Sequence, residues 1–214
     1  MEELFDVVMN LMNPQYILTY GGLFLLLAVL FAENGLFFAF FLPGDSLLFT
    51  TGLFCAIGTL PHPLWLLLLS MFVVSFLGYT FAYYFGVRSG KLLLRREESV
   101  FFKRRYIAMA RAYYRKFGGK TLLIARYLPI IRTFAPIMAG MVQMSQRSFF
   151  FYNLLGSFLW IMTIVNAGYF FGKMIPTPEK YLNYIVLGLV VVTAIPIIQS
   201  FFKKKPQLKQ KNNR

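Results

Sequence analysis

The sequence has few of the side chains on which most enzymes depend. Its 214 residues include one cysteine, Cys55, and one histidine, His62. One cysteine excludes an internal disulfide and a cysteine metal cluster, and one histidine leaves no zinc site and no serine–histidine triad built from several partners. No G-x-x-x-x-G-K-[ST] motif is present, so ATP is not bound by a P-loop. We therefore expect no metal, no cofactor and no enzymatic activity.

Acidic residues are also scarce, and the basic excess is concentrated in two segments. Eight Asp and Glu stand against 22 Lys and Arg, a formal net charge of +14. Eleven basic residues lie within residues 88–120 and six within 203–214. Both segments flank apolar runs, and the positive-inside rule makes both cytoplasmic. Attraction to anionic lipid is a second interpretation of the same charge, and nucleic-acid binding is not expected.

What the sequence has in abundance is apolar length. Hydrophobic residues make up 58% of the chain, more than in an ordinary soluble domain. The acidic start, with Glu2, Glu3 and Asp6, is unlike a cleaved signal peptide. Apolar runs suited to transmembrane helices lie at residues 16–32, 64–87, 148–172 and 181–202. The prediction is an all-α polytopic membrane protein with one transmembrane domain over residues 1–202.

The two basic segments complete this organisation. Residues 88–120 carry aromatic side chains at helical spacing among the basic ones. They are predicted to form an amphipathic connector, lying on the cytoplasmic membrane surface or packed against the rest of the protein. Residues 203–214 are predicted to be a polybasic cytoplasmic tail.

Two further apolar stretches are interrupted by helix-breaking residues. Residues 34–58 contain a Pro-Gly-Asp sequence, and residues 121–146 contain two prolines and a conspicuous glycine. Non-helical backbone at membrane depth is tolerated only inside protein or beside a watery cavity. Loop charges put both Lys120 and Arg147 on the cytoplasmic side, and about 25 residues are too few for two crossings of about 20 residues each. Both stretches are therefore predicted to be re-entrant helical hairpins, the first entering from outside and the second from the cytoplasm.

An internal repeat supports this arrangement. A shift of 86 residues aligns the Phe-Leu-Pro at 41–43 with the Tyr-Leu-Pro at 127–129, and the aromatic-rich residues 83–86 with 169–172. Each unit is then a re-entrant hairpin followed by a transmembrane helix, and the two units have opposite orientations. Inverted repeats with broken helices meeting near the midplane are a transporter architecture. Additional transmembrane helices flank the repeat.

Four charges lie in or beside the predicted hairpins: Glu33, Asp45, Arg126 and Arg132. Charged residues inside a membrane are costly and usually functional. One shared cavity would pair two carboxylates from one hairpin with two guanidiniums from the other. A carboxylate removed from water can carry a proton, and an arginine fork suits a phosphate group. The predicted roles are proton coupling by Glu33 and Asp45 and headgroup binding by Arg126 and Arg132; the alternative is that all four only hold the hairpins together.

Several further residues are candidates for the cavity wall. The prolines and glycines among them can instead serve as hairpin breakers, and Tyr127 can instead be a core aromatic. On the last part of the repeat, Asn153, Trp160 and Asn166 are expected to join helices by hydrogen bonds. The cavity-lining candidates are Pro43, Gly44, Ser46, Tyr127, Pro129, Thr133, Pro136 and Gly140.

These motifs resemble those of the DedA family, the bacterial branch of the VTT-domain (SNARE-associated) proteins. The matching features are Glu33 with the Phe-Leu-Pro-Gly-Asp at 41–45, the Tyr-Tyr-Phe-Gly at 83–86, and above all the long motif at 126–140. The resemblance implies inverted re-entrant hairpins and transport of undecaprenyl phosphate from the outer to the cytoplasmic leaflet of the bacterial cytoplasmic membrane, driven by protons. The sequence differs from the family pattern at Gly78-Tyr79, where many members have Gly-Asp, so no acidic role can be assigned to Tyr79.

Other functions remain open at this point. The chain can be a passive phospholipid scramblase, a small-cation/proton antiporter that uses only the two acids, or a membrane assembly factor without transport. For all of them we expect a multi-pass protein of the bacterial inner membrane with both termini in the cytoplasm. The oligomeric state is not predicted.

Overall fold

The computed structural model describes residues 22–36, 39, 42, 44–93, 114 and 116–174, and within these ranges every regular element is helical. The helices are α1 Gly22–Gly35, α2 Gly44–Ala56, α3 Leu64–Leu93, α4 Lys120–Arg126, α5 Pro129–Met141 and α6 Gln146–Met174. The predicted helical class is thus confirmed. Residues 1–21, most of the predicted connector, the span at 181–202 and the tail at 203–214 lie outside the described residues.

Two of the helices are long and apolar enough to cross a membrane. Leu64–Gly90 within α3 has 27 residues and α6 has 29, where a bilayer needs about 20. Large apolar side chains are exposed along both, among them Trp65, Leu69, Phe151 and Phe158. Exposed apolar surface of this extent is expected to face lipid rather than water. Helix α3 also continues to Leu93, beyond the predicted end of its span.

The first predicted hairpin differs in its bounds. Helix α1 runs through Glu33 and Asn34 to Gly35, and the amide of Asn34 donates to the Leu30 carbonyl at 2.8 Å. Leu36 is no longer helical, and the next α-helix begins at Gly44, directly after Pro43 in the sequence. Among the described residues of the range 34–58, α2 is thus the one complete α-helix, and the helix that precedes it is α1, which begins upstream.

The second interrupted stretch contains two short helices. Helices α4 and α5 lie within residues 120–141 and are separated only by Tyr127 and Leu128. Leu128 is extended, with φ −108° and ψ 108°, as the residue before a proline tends to be. Pro129 occupies the first turn of α5, where its missing amide hydrogen costs little. With 7 and 13 residues, neither helix can cross a bilayer alone.

Short and long helices pack crosswise between the two halves of the chain. Helix α2 packs chiefly on α6, and α5 packs chiefly on α3. Glycines allow close backbone approach at both contacts. A Cβ atom on Gly52 would lie 2.0 Å from the Val165 carbonyl oxygen, and one on Gly86 would lie 2.1 Å from that of Ile137. Each long helix is thus joined to the short helix of the other half, a reciprocity consistent with the internal repeat.

Candidate functional site

Three of the four predicted charges meet at one point. Arg132, on α5, donates through Nη1 to Asp45 Oδ1 and through Nη2 to Glu33 Oε1. Glu33 comes from the last turn of α1 and Asp45 from the first turn of α2, on either side of the break between these helices. The Arg132 guanidinium therefore joins the end of α1 to the start of α2. We refer to Glu33, Asp45 and Arg132 as the charge bridge.

The charge bridge is largely removed from solvent. The side chains of Arg132 and Glu33 are 7% and 1% exposed, whereas that of Asp45 is 22% exposed. The two carboxylates balance the charge of the buried Arg132 guanidinium and accept hydrogen bonds from two of its nitrogens. When all three groups are ionised, the bridge carries one negative charge in excess. Asp45 is its most accessible member.

Gly44 lies directly against the Glu33 carboxylate. A Cβ atom there would lie 1.4 Å from Glu33 Oε2, so any other residue would have to displace the carboxylate from this position. That oxygen and the hydroxyl of Ser46 are both buried and have no hydrogen-bond partner in the described part of the chain. Gly44 thus lies against the charge bridge, and the cavity-lining role of Ser46 stays a prediction.

Arg126 lies apart from the two acids, in a pocket of neutral groups. Its Nη1 donates to Ser157 Oγ at 2.5 Å and to Ser75 Oγ at 3.4 Å, and its Nη2 donates to Asn153 Oδ1 at 3.2 Å. Its Cζ atom stands 3.9 Å from the centre of the Tyr79 ring. Among the described residues no carboxylate forms an ion pair with Arg126. The expectation that both arginines share both acids is therefore wrong for Arg126.

Tyr79 and Trp160 complete the site, and sequence reasoning assigned neither to it. The Tyr79 hydroxyl donates to the Arg132 carbonyl at 2.8 Å, so this residue touches both arginines. The Trp160 ring lies 5.7 Å from Arg126 Cζ and 5.2 Å from Arg132 Cζ. A usable signal was the spacing of Asn153, Ser157 and Trp160, which places all three on one face of a helix.

The remaining predicted residues have varied positions. Thr133 and Pro136 are buried within α5. Gly140 is buried at the contact with α3, where a Cβ atom would lie 2.2 Å from the Tyr83 carbonyl oxygen; it therefore serves close helix packing, and its cavity-lining role stays a prediction. Tyr127 is 52% exposed, which rules out the role of a core aromatic. Pro43 and the side chain of Pro129 lie outside the described residues.

Only one of the two asparagines on α6 joins helices. Asn153 donates to the Phe76 carbonyl at 3.1 Å and to Thr80 Oγ1 at 3.2 Å, which ties α6 to α3. The amide of Asn166 instead donates to Met162 of its own helix at 2.7 Å. The expected helix-joining role is therefore wrong for Asn166, since its nearest acceptor is one turn back along α6.

Comparisons with known proteins agree with these features. Residues 42–170 match the model of the VTT domain. The chain is 38% identical to Protein DedA of Escherichia coli (strain K12) over 186 residues, covering 87% of this chain and 83% of that protein. It is 39% identical to an uncharacterized membrane protein of Mycobacterium leprae (strain TN), covering 80% and 76%. It is 33% identical to the inner membrane protein YqjA of E. coli K12, covering 88% and 84%.

No solved structure matches the chain. The domain match spans more than half of the sequence, and it includes α2, α3, the Arg126 pocket and Arg132. Each of the three relatives covers 80% or more of the chain. The protein belongs to the DedA family of VTT-domain membrane proteins.

Proposed function

We propose that this protein carries a phosphorylated polyprenyl lipid, of the undecaprenyl phosphate type, from the outer to the cytoplasmic leaflet of the bacterial cytoplasmic membrane. The observation that carries the proposal is the buried Arg132, which holds two carboxylates at a helix break. An arginine fork binds a phosphate oxygen pair as readily as it binds carboxylates. The transported lipid is not chemically altered, so the protein needs no metal, cofactor or catalytic residue.

Protons drive the exchange in this proposal. With Glu33 and Asp45 ionised, both terminal nitrogens of the Arg132 guanidinium donate hydrogen bonds to carboxylates. A proton on either carboxylate removes the excess negative charge and weakens its hold on the guanidinium. Arg132 then has donors free for the lipid phosphate. Asp45 is the most exposed member of the bridge, so the headgroup enters on its side and takes its place.

The architecture supports alternating access to the charge bridge. Helices α1 and α2 and helices α4 and α5 form two interrupted pairs that meet at Arg132, and no member of either pair has the length of a full span as described. In the proposal the pairs are inverted re-entrant hairpins, and the charge bridge faces each leaflet in turn. Arg126 remains fixed and adds positive potential beside the headgroup, in place of the direct clamp predicted from sequence.

Transport in proteoliposomes tests the proposal. The full chain is reconstituted with a polyprenyl phosphate, and the loss of the lipid from the outer leaflet is followed with and without a pH gradient. Arg132→Gln is expected to reduce the rate at least about tenfold, because a transport step that loses about 1.4 kcal/mol of binding slows by that factor. Arg147→Gln, at an exposed position on α6, is the matched control and keeps the wild-type rate.

The same assay separates the alternatives. Equal movement of zwitterionic and phosphate lipids, indifferent to the pH gradient, would show a passive scramblase. Proton flux driven by an added cation and retained in Arg132→Gln would show an antiporter that uses the two acids. Wild-type transport by Arg132→Gln would contradict the role of the charge bridge directly.

A further inference from the structure

Trp160 lies against three of the four charged side chains of the site. Its ring lies 5.2 Å from Arg132 Cζ and 5.7 Å from Arg126 Cζ. The Trp160 side chain also lies close enough to the Asp45 carboxylate to stabilise its charge. The indole is 1% exposed and is among the largest fully buried side chains of the described chain.

The two guanidiniums determine which kind of lipid headgroup can bind beside the Trp160 indole. A tryptophan face attracts cations, and aromatic faces are the usual receptors for the quaternary ammonium of choline. Here both guanidiniums already lie within cation–π range of the Trp160 ring. A headgroup with its own cation would meet two like charges beside the ring. An anionic headgroup meets the opposite situation, with two positive charges and an indole N–H that can donate to it.

We propose that Trp160 is the positioning residue that selects phosphate monoester headgroups over zwitterionic ones. In this inference, which rests on the proposed function, a phosphate that replaces Asp45 on Arg132 also accepts a hydrogen bond from the indole N–H. The indole keeps the phosphate aligned with the Arg132 fork. Trp160 thus assists Arg132, which supplies the charge, with one hydrogen bond that orients the phosphate.

The tryptophan content of the chain allows a direct test. The sequence has two tryptophans, and the other, Trp65, is 64% exposed at the start of α3. In a Trp65→Phe protein the emission of Trp160 can be recorded alone. Purified protein in detergent is titrated with dioleoyl phosphatidic acid, a phosphate monoester lipid, and in parallel with dioleoyl phosphatidylcholine. We expect a saturable change of emission with the first lipid, none with the second, and none in Trp65→Phe/Arg132→Gln.

Two substitutions separate the ring from its N–H group. Trp160→Phe keeps an aromatic ring and loses the donor, and Trp160→Leu loses both. Binding of radiolabelled phosphatidic acid should weaken about fivefold in Trp160→Phe, the effect of one lost hydrogen bond, and further in Trp160→Leu. Preference over phosphatidylcholine should fall in both. Thermal unfolding of each variant shows whether folding is retained, and Trp65→Leu is the control at an exposed tryptophan.

The outcomes distinguish this inference from the proposed function. If wild-type protein binds phosphatidic acid but Trp160 emission is unchanged and Trp160→Phe binds with wild-type affinity and preference, the role of Trp160 is refuted while lipid-phosphate binding stands. If wild-type protein binds neither lipid and transports none, the proposed function falls and this inference with it. Loss of preference in Trp160→Phe with intact folding would support both.

Discussion

Arg126 and Arg132 lie six residues apart, yet their burial is balanced in different ways. Arg132 is matched by two carboxylates, whereas Arg126 is matched by two hydroxyls, an amide oxygen and the face of Tyr79. In the proposed transport cycle, protons or a competing anion undo the first arrangement. The second involves neutral acceptors that do not change charge. At the scale of residues, Arg132 is therefore proposed to exchange its ligands, whereas Arg126 keeps its own.

Loss of Arg132 alone should be more damaging than loss of the whole charge bridge. Arg132→Gln leaves two buried carboxylates facing each other, and breaking a buried ion pair in this way costs about 3–5 kcal/mol of folding free energy. The triple variant Glu33→Gln/Asp45→Asn/Arg132→Gln has no unpaired charge and should recover most of that loss. Unfolding in detergent, followed by circular dichroism, measures both.

The stability experiment has a matched control and a clear contrary result. Arg147→Gln removes an arginine at an exposed position and should leave unfolding unchanged. A triple variant no more stable than Arg132→Gln would mean that the charges do not compensate one another. Transport should be absent in the triple variant even if its stability returns, because the arginine proposed to bind the lipid phosphate has been removed.

The four charges could be recognised from the sequence, but their partners could not. Charged residues stand out in an apolar background because burial makes them rare there. Which groups meet them depends on the rotation of α3 and α6, and no local pattern encodes that rotation. Tyr79 is 47 positions from Arg126 along the chain and stacks on it only because α3 and α4 come together. Its aromatic character alone gave no reason to place it beside a guanidinium.

At the scale of elements, breaks were easier to predict than helix ends. Pro43 and Pro129 each lack a backbone N–H donor. Helix α2 begins directly after Pro43, and α5 begins at Pro129, both positions at which a proline is tolerated. The predicted first span ends at residue 32, before Glu33, whereas α1 ends at Gly35. The Glu33 carboxylate is buried against Arg132, so the helix continues past it. A remote partner thus makes a charged residue compatible with a buried helical turn.

The contact between α2 and α6 should not tolerate a methyl group. In Gly52→Ala the new Cβ would lie 2.0 Å from the Val165 carbonyl oxygen, and in Gly168→Ala 2.0 Å from that of Phe49. Both changes force the helices apart, and overpacking of this kind costs about 1–3 kcal/mol. Lower unfolding temperatures in detergent would show it.

Gly156→Ala is the control for that experiment. Its Cβ would meet the flexible end of Leu123 at 3.2 Å, which can move aside. Alanine also has a better helix propensity than glycine, so this variant should be as stable as wild type or more stable. Equal loss of stability in Gly52→Ala and Gly156→Ala would mean that the close helix contact is not the cause.

At the scale of the whole molecule, the two halves are interlocked. Helix α5 packs on α3 and α2 packs on α6, so each of these contacts joins an element from before the connector with one from after it. The two long helices and their exposed apolar faces indicate a membrane environment. The inverted path of the two interrupted pairs is a prediction from loop charges and the repeat, and it has a direct test.

Labelling of single cysteines should reveal that topology. In a Cys55→Ser protein, Thr59→Cys lies in the exposed loop after α2 and should react with a membrane-impermeant maleimide added to whole cells. Ser145→Cys, in the exposed turn after α5, should react only once the membrane is permeabilised. The basic residues around the second site predict its cytoplasmic side. Labelling of both from outside would refute the inverted arrangement.

The crosswise packing also determines which contacts change in the proposed transport cycle. Glycines bring α2 against α6 and α3 against α5, so the closest backbone contacts join helices of different halves. Arg132 stands on one of these mixed pairs and Asp45 on the other. Their ion pair therefore links the two pairs, together with the hydrogen bonds of Asn153 between α6 and α3. In the proposed cycle, the proton or phosphate that changes the ligand of Arg132 also removes one of these links.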